Sequence, residues 1–183
     1  MNSFMTGKIL TPPAHDHSHD ADSHELHKSG DAEQEFAYHI AWLRLLAIWF
    51  QHAHWAVQGS TFYGDHLLYE RIYGEVNGLI DGMAEKAVSF TSPNVVNTHM
   101  HAELLSQMLR AYPTPSRVNE ATMIAAAGLA LVKDYLETLK ETYDKIKSEG
   151  GMSMGLDDLL MSNANTIEGF VYLLKQRVQK TIG

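Results

Sequence analysis

Five side chains between residues 52 and 87 have the types and the spacing to hold a metal ion: His54, His66, Glu70, Asp81 and Glu85. Imidazole and carboxylate both bind divalent first-row metals. His66 and Glu70 are four residues apart, as are Asp81 and Glu85, so each pair shares a helix face. Glu70 and Asp81 are eleven residues apart, about three full turns, which sets all four on one stripe. That stripe lies nearly opposite the apolar stripe of the same helix, so it is not a core face of the single chain. Taken alone, such charges usually mean a solvated face. His54 taken alone reads as a core histidine, because it continues the apolar stripe of the preceding helix.

Distance decides between these readings. Eleven residues of helix rise span about 16 Å, whereas metal–oxygen and metal–nitrogen bonds are about 2.0–2.2 Å. Asp81 and Glu85 therefore cannot reach a metal held by His54, His66 and Glu70 of the same chain. A second copy, packed antiparallel about a two-fold axis near Glu75–Val76, can supply them. Gly74, Gly78 and Gly82 recur there at four-residue spacing. Each costs a helix about 1 kcal/mol against alanine, and the close approach of another backbone accounts for them better than local flexibility does.

The elements that must position these residues are helices. Phe36, Ile40, Leu43, Ala47, Phe50, His54 and Val57 alternate in steps of three and four, the stripe of a core-facing helix. Ser29 or Asp31 can cap its start, and Gly59 ends it. A second helix begins near Asp65, with Ile72, Val76, Leu79, Met83 and Phe90 as its stripe, and Pro93 ends that region. A shorter helix is expected from Asn94 to Ala111. A third long helix begins near Asn119, with Glu120 in its first turn and Ile124, Leu131, Tyr135, Leu139, Thr142 and Ile146 as its stripe. Gly150-Gly151 stops it. A fourth starts near Asp157 and carries Leu160, Ile167, Phe170, Leu174 and Val178. No region alternates with period two for long enough to be a strand. The expected fold is all-α, a ferritin-like four-helix bundle with a short helix in the crossover between the second and third long helices.

Composition narrows the function classes. The chain has 183 residues and no cysteine, which excludes thiolate catalysis, disulfides and iron–sulfur clusters. It suits a reducing compartment, and no apolar leader is read at the N-terminus, so a cytoplasmic location is expected. The most apolar stretches fall short of the roughly 20 residues of a membrane span. A net charge of −8 makes nucleic acid a poor default partner.

The order of the five residues resembles the ferroxidase signature of Dps-type mini-ferritins, a family within the ferritin-like superfamily. It runs His54, eleven residues, His66, three, Glu70, ten, Asp81, three, Glu85. The flanking Ala53-His54-Trp55 and Met83-Ala84-Glu85-Lys86-Ala87 also look like that family, and Asp158-Leu159-Leu160 through Glu168-Gly169-Phe170 is more distantly similar to its last helix. The resemblance covers roughly residues 34 to 180. It implies a hollow shell of twelve subunits that oxidises ferrous iron, preferentially with hydrogen peroxide, at two-fold interfaces and stores ferric mineral inside. It implies that His54, His66 and Glu70 bind iron from one subunit, and Asp81 and Glu85 from its partner. It places Trp55 beside the site as a radical interceptor, with a core tryptophan as the alternative. Glu70 departs from the family, which more often has aspartate there. The Glu-x-x-His motif of larger di-iron bundles occurs nowhere. Rival functions are DNA compaction and a structural, metal-buffering shell without oxidase activity.

Other signals are weaker. Residues 1–30 read as a disordered His/Asp-rich tail ahead of a bundle domain at 31–183. Its His15, His17, His19, His24 and His27 are candidate ligands for zinc or another divalent metal. The tail is acidic, so DNA binding is expected to be weak or absent at neutral pH. His99, His101 and Glu103 read as solvated surface. Asp157 and Asp158 read as helix caps, and the resemblance makes Asp158 a candidate pore residue. Lys175, Arg177 and Lys180 read as a solvated basic cluster. His39 and His52 carry no assigned role.

Overall fold

In the computed structural model, the backbone is described for residues 19–116 and 119–179, and side chains from residue 32 onward within those spans. Five helices account for nearly all of it: α1 (His19–Ala56), α2 (Phe62–Phe90), α3 (Thr98–Ala111), α4 (Ala121–Ser148) and α5 (Met154–Val178). The helix α1 packs along α2, and α4 along α5, each pair joined by a short turn. The crossover from α2 to α4 carries a 3-10 turn at Pro93–Val96 and the short α3, which lies against α1. This is the expected four-helix bundle with a small crossover helix. No helix among the described residues is long and apolar enough to cross a membrane.

The apolar stripes become the core. Phe36, Ile40, Leu43 and Phe50 of α1 meet Ile72, Val76 and Met83 of α2, Ile124, Leu131 and Leu139 of α4, and Leu160, Ile167, Phe170 and Leu174 of α5. Each such side chain contributes roughly 1.5–3 kcal/mol on burial. Two glycines shape the arrangement. Gly59 takes φ +90, which turns the chain sharply so that the end of α1 meets the start of α2. A Cβ at Gly128 would come within 2.9 Å of Phe50 and 3.0 Å of Trp49, so α4 can lie this close to α1 only without a side chain there. Trp49 also donates its indole N–H to the Pro113 carbonyl at 3.1 Å, tying the crossover to α1.

Several expected boundaries and burials are corrected. Helix α1 starts at His19, so Ser29 and Asp31 lie inside it rather than at its start. The α3 helix begins at Thr98, capped by the Asn97 side chain, because Pro93 first forces a 3-10 turn. Glu120 is the N-cap of α4 rather than a first-turn residue. At α5 the cap is Ser153, whose side chain accepts from the Leu156 N–H, so Asp157 stands in the first turn. Phe90 is 40% exposed, because it is the last residue of α2 and lies beyond the core.

His39, left without a role by its sequence position, is fully buried. The Thr142 hydroxyl donates to Glu35 at 2.6 Å, so its oxygen accepts from His39 Nε2–H at 2.8 Å. His39 Nδ1 has no partner in the core. Burial pushes this imidazole down to about 4, with the nearby Glu35 carboxylate opposing. The unfolded chain therefore takes up a proton as pH falls through 6.5 while the folded chain does not. Stability should be full above pH 6.5 and fall by about 3 kcal/mol between there and pH 4. Glu35, held low by hydrogen bonds from Thr142 and Lys145 that outweigh its desolvation, adds its own loss only below its ordinary value of 4.5. Urea unfolding at pH 7 and pH 5 should show this drop in the native chain and a flatter dependence in His39→Gln.

Candidate metal centre

The turn between α1 and α2 brings His54 and His66 face to face. Their rings stack with centroids 3.6 Å apart and planes 22° from parallel. Each Nδ1 lies 3.0 Å from the other residue's backbone carbonyl. A carbonyl only accepts, so both imidazoles carry their hydrogen on Nδ1. The lone pair left for a metal is on Nε2 in both rings. Fixing the tautomer through the second nitrogen is how proteins orient metal-ligating histidines. Phe62, one turn before His66, covers the other side of that ring at 4.9 Å, and Tyr73 meets His54 edge-on at 5.5 Å.

The carboxylates are placed differently. Glu70, Asp81 and Glu85 are all exposed on α2. Among the described residues, no three or more His, Asp or Glu side chains of this one chain gather into a metal-ready group. Thus the chain brings together the two imidazoles, while its acids stay spread along the helix. The exposed face that carries the acids also shows Tyr63, Leu67 and Val88 to solvent. Gly74 and Gly78 stand between them, and an added Cβ at either would meet nothing within 4 Å.

Trp55 is 54% exposed, which removes the core alternative; its ring meets His52 edge-on at 5.2 Å. Asp158 is exposed near the start of α5, and Asp157 accepts from the Tyr143 hydroxyl at 2.8 Å. His99 and Glu103 are exposed, but His101 is buried, donating Nε2–H to the Val95 carbonyl at 2.7 Å. His15 and His17 lie outside the described residues, as do the side chains of His19, His24 and His27.

A buried ion pair lies beside the site. Arg177 is not a solvated cation. Its Nε and Nη2 grip both oxygens of Asp65, the second at 2.8 Å, and Nη2 reaches the Thr61 hydroxyl at 3.2 Å. Asp65 is only 2% exposed and immediately precedes His66. Its place on the buried face of α2, four residues before Tyr69 and seven before Ile72, was the available signal. A carboxylate at a core position requires a cation. Burial, and then the Asp65 charge, raises the neighbouring Tyr69 hydroxyl above its ordinary range.

Four long helices, with a short helix in the crossover between the second and the third of them, form a ferritin-like fold. Within it, the chain has the Dps fold. It is similar to Dps of Mycobacterium smegmatis, with a TM-score of 0.71 and 19% identity over 98% of both chains. It is also similar to DpsC of Streptomyces coelicolor, with a TM-score of 0.70 and 25% identity over 82% of this chain and 84% of that one. A Dps protein of Vibrio cholerae, described as one of a broad superfamily of ferritin-like diiron-carboxylate proteins, matches with a TM-score of 0.67 and 17% identity over 82% of this chain and 91% of its own. No family model and no curated protein matches the sequence.

Proposed function

We propose that this protein is a Dps-type mini-ferritin that oxidises ferrous iron at a site shared by two copies of the chain and stores the ferric product in a shell. The observation that carries this reading is the His54–His66 pair, with both Nδ1 atoms engaged by backbone carbonyls, both Nε2 lone pairs left for a metal and, among the described residues, no carboxylate gathered with them. Antiparallel pairing of α2 about Glu75–Val76 sets His66 against the partner's Glu85, and Glu70 against the partner's Asp81. It also covers Tyr63, Leu67 and Val88, apolar side chains exposed on that face of the single chain.

Iron is the substrate. His54, His66 and Glu70 bind it from one chain; Asp81 and Glu85 bind it from the other. Two ferrous ions each give up one electron to one hydrogen peroxide, the O–O bond breaks, and both oxygens end as water or hydroxide. Using both electrons together avoids release of hydroxyl radical. The carboxylates offset the added positive charge as iron goes from two-plus to three-plus. Trp55, exposed and next to His54 in the sequence, is available to intercept stray radicals. Asp158 is a candidate for the pore that admits ferrous iron, and twelve subunits are the expected shell. The tail histidines are a secondary site for zinc or another divalent metal.

The test is anaerobic loading with ferrous iron followed by peroxide, recording ferric absorbance. Rapid stoichiometric oxidation and a shell-sized particle by light scattering are expected. Slow oxidation no faster than iron in buffer would reject the reading. DNA is not a proposed partner: at net charge −8, no stable gel retardation is expected at neutral pH and moderate salt.

A further inference from the structure

The Asp65–Arg177 pair sits where it can control the iron-binding histidine, and it joins two elements distant in sequence. Asp65 belongs to the first turn of α2, Arg177 to the last turn of α5. The grip is bidentate, which fixes the carboxylate plane as well as its position. Arg177 also holds Thr61, the N-cap residue of α2, which has no side-chain cap bond of its own. Two points on the first turn of α2 are thereby tied to α5. Consecutive helix residues point about 100° apart. Locking Asp65 into the buried seam therefore sets the angle at which His66 and, one turn later, Glu70 leave the helix.

We propose that Asp65 and Arg177 are positioning residues for the metal centre, acting through the backbone of α2 on His66. The inference rests on the ferroxidase reading for what His66 binds. The ring of His66 is fixed on one side by the His54 carbonyl and stack, and both depend on the register of α2 against α1. Rotation of the first turn by a fraction of a step carries Nδ1 off that carbonyl and turns Nε2 away from its metal position. The clamp also couples the C-terminal end of the chain to the site. Lysine cannot reproduce it, since a single ammonium does not span both carboxylate oxygens and Thr61.

The experiment is cobalt(II) titration of the full-length assembled protein, with His15, His17, His19, His24 and His27 replaced by glutamine in every chain so that the tail contributes no cobalt spectrum, with visible absorption as the readout, in the absence of any oxidant. The variants are Arg177→Gln, Arg177→Lys, and Asp65→Leu combined with Arg177→Met. The double variant removes both charges together, and so keeps the seam folded if a single one does not. Circular dichroism and light scattering confirm that helix content and particle mass are kept. Arg177→Gln and the double variant should lose about tenfold or more in cobalt affinity and change the band shape, as loss of a supporting partner does at other metal sites. Arg177→Lys should recover only part of the affinity. A His54→Ala chain serves as control. If it keeps the cobalt spectrum, the ferroxidase reading itself fails. If it loses the spectrum while the clamp variants bind like the native chain, the clamp is overturned and the reading stands.

Discussion

A chain carrying His54→Ala and Asp81→Ala should oxidise ferrous iron at least a hundredfold more slowly than the native chain under peroxide. Loss of a partner that only supports a ligand costs 10–100-fold at known metal sites, by order of magnitude, and here two ligands are removed outright. Neither substitution should unfold the bundle. His54 is only half-buried and Asp81 is exposed, so no large apolar contact is lost. The His66 ring loses its stacking neighbour but keeps the His54 backbone carbonyl, which alanine retains. Stopped-flow absorbance of ferric iron gives the rate, and thermal unfolding confirms the fold. Similar rates in the two proteins would reject these residues as the oxidation site.

The second large effect is expected at residues that touch nothing. Gly74→Leu with Gly78→Leu should leave the single bundle intact, and should raise its helix stability by up to about 1 kcal/mol per site. Apart from the adjoining backbone of the helix itself, no atom of the described residues stands within 4 Å of a Cβ at either position. The same double substitution should disrupt pairing across α2, because side chains would then hold two backbones apart. Light scattering should report loss of the native particle mass, while circular dichroism keeps the helix signal. The ferroxidase rate should fall with the mass, since the acids of the second chain are no longer delivered. An unchanged particle with unchanged rate would show that the glycine face is not where copies meet.

How much of this was legible in the sequence follows from which forces are local. The stripes in α1, α2, α4 and α5 were readable because a helix must bury one face, and Phe36, Ile40, Ile72, Val76, Leu131 and Phe170 fall on the spacing that does so. The meeting of His54 with His66 was also readable, since a short turn with Gly59 leaves an antiparallel hairpin little choice. The hidden parts depend on contacts far apart in the chain. His39 finds Thr142 on α4, and Asp65 finds Arg177 on α5; nothing near either residue names its partner. Trp55 follows directly on His54 yet faces outward, because one residue along a helix turns the side chain well away from the core. The start of α5 was misplaced for a different reason. Paired aspartates at 157 and 158 read as caps, whereas the side chain that accepts the capping bond is that of Ser153, one turn earlier.

In the proposed site one chain lends the imidazoles and the other lends the acids. Complementation tests this most directly. His54→Ala and Asp81→Ala chains, each inactive as its own assembly, are unfolded together, refolded as a mixture and assayed for iron oxidation. Random pairing about a two-fold axis leaves about one quarter of the sites with a full ligand set, so the mixture should recover roughly a quarter of the native rate. A mixture no more active than its separate components would contradict a shared site.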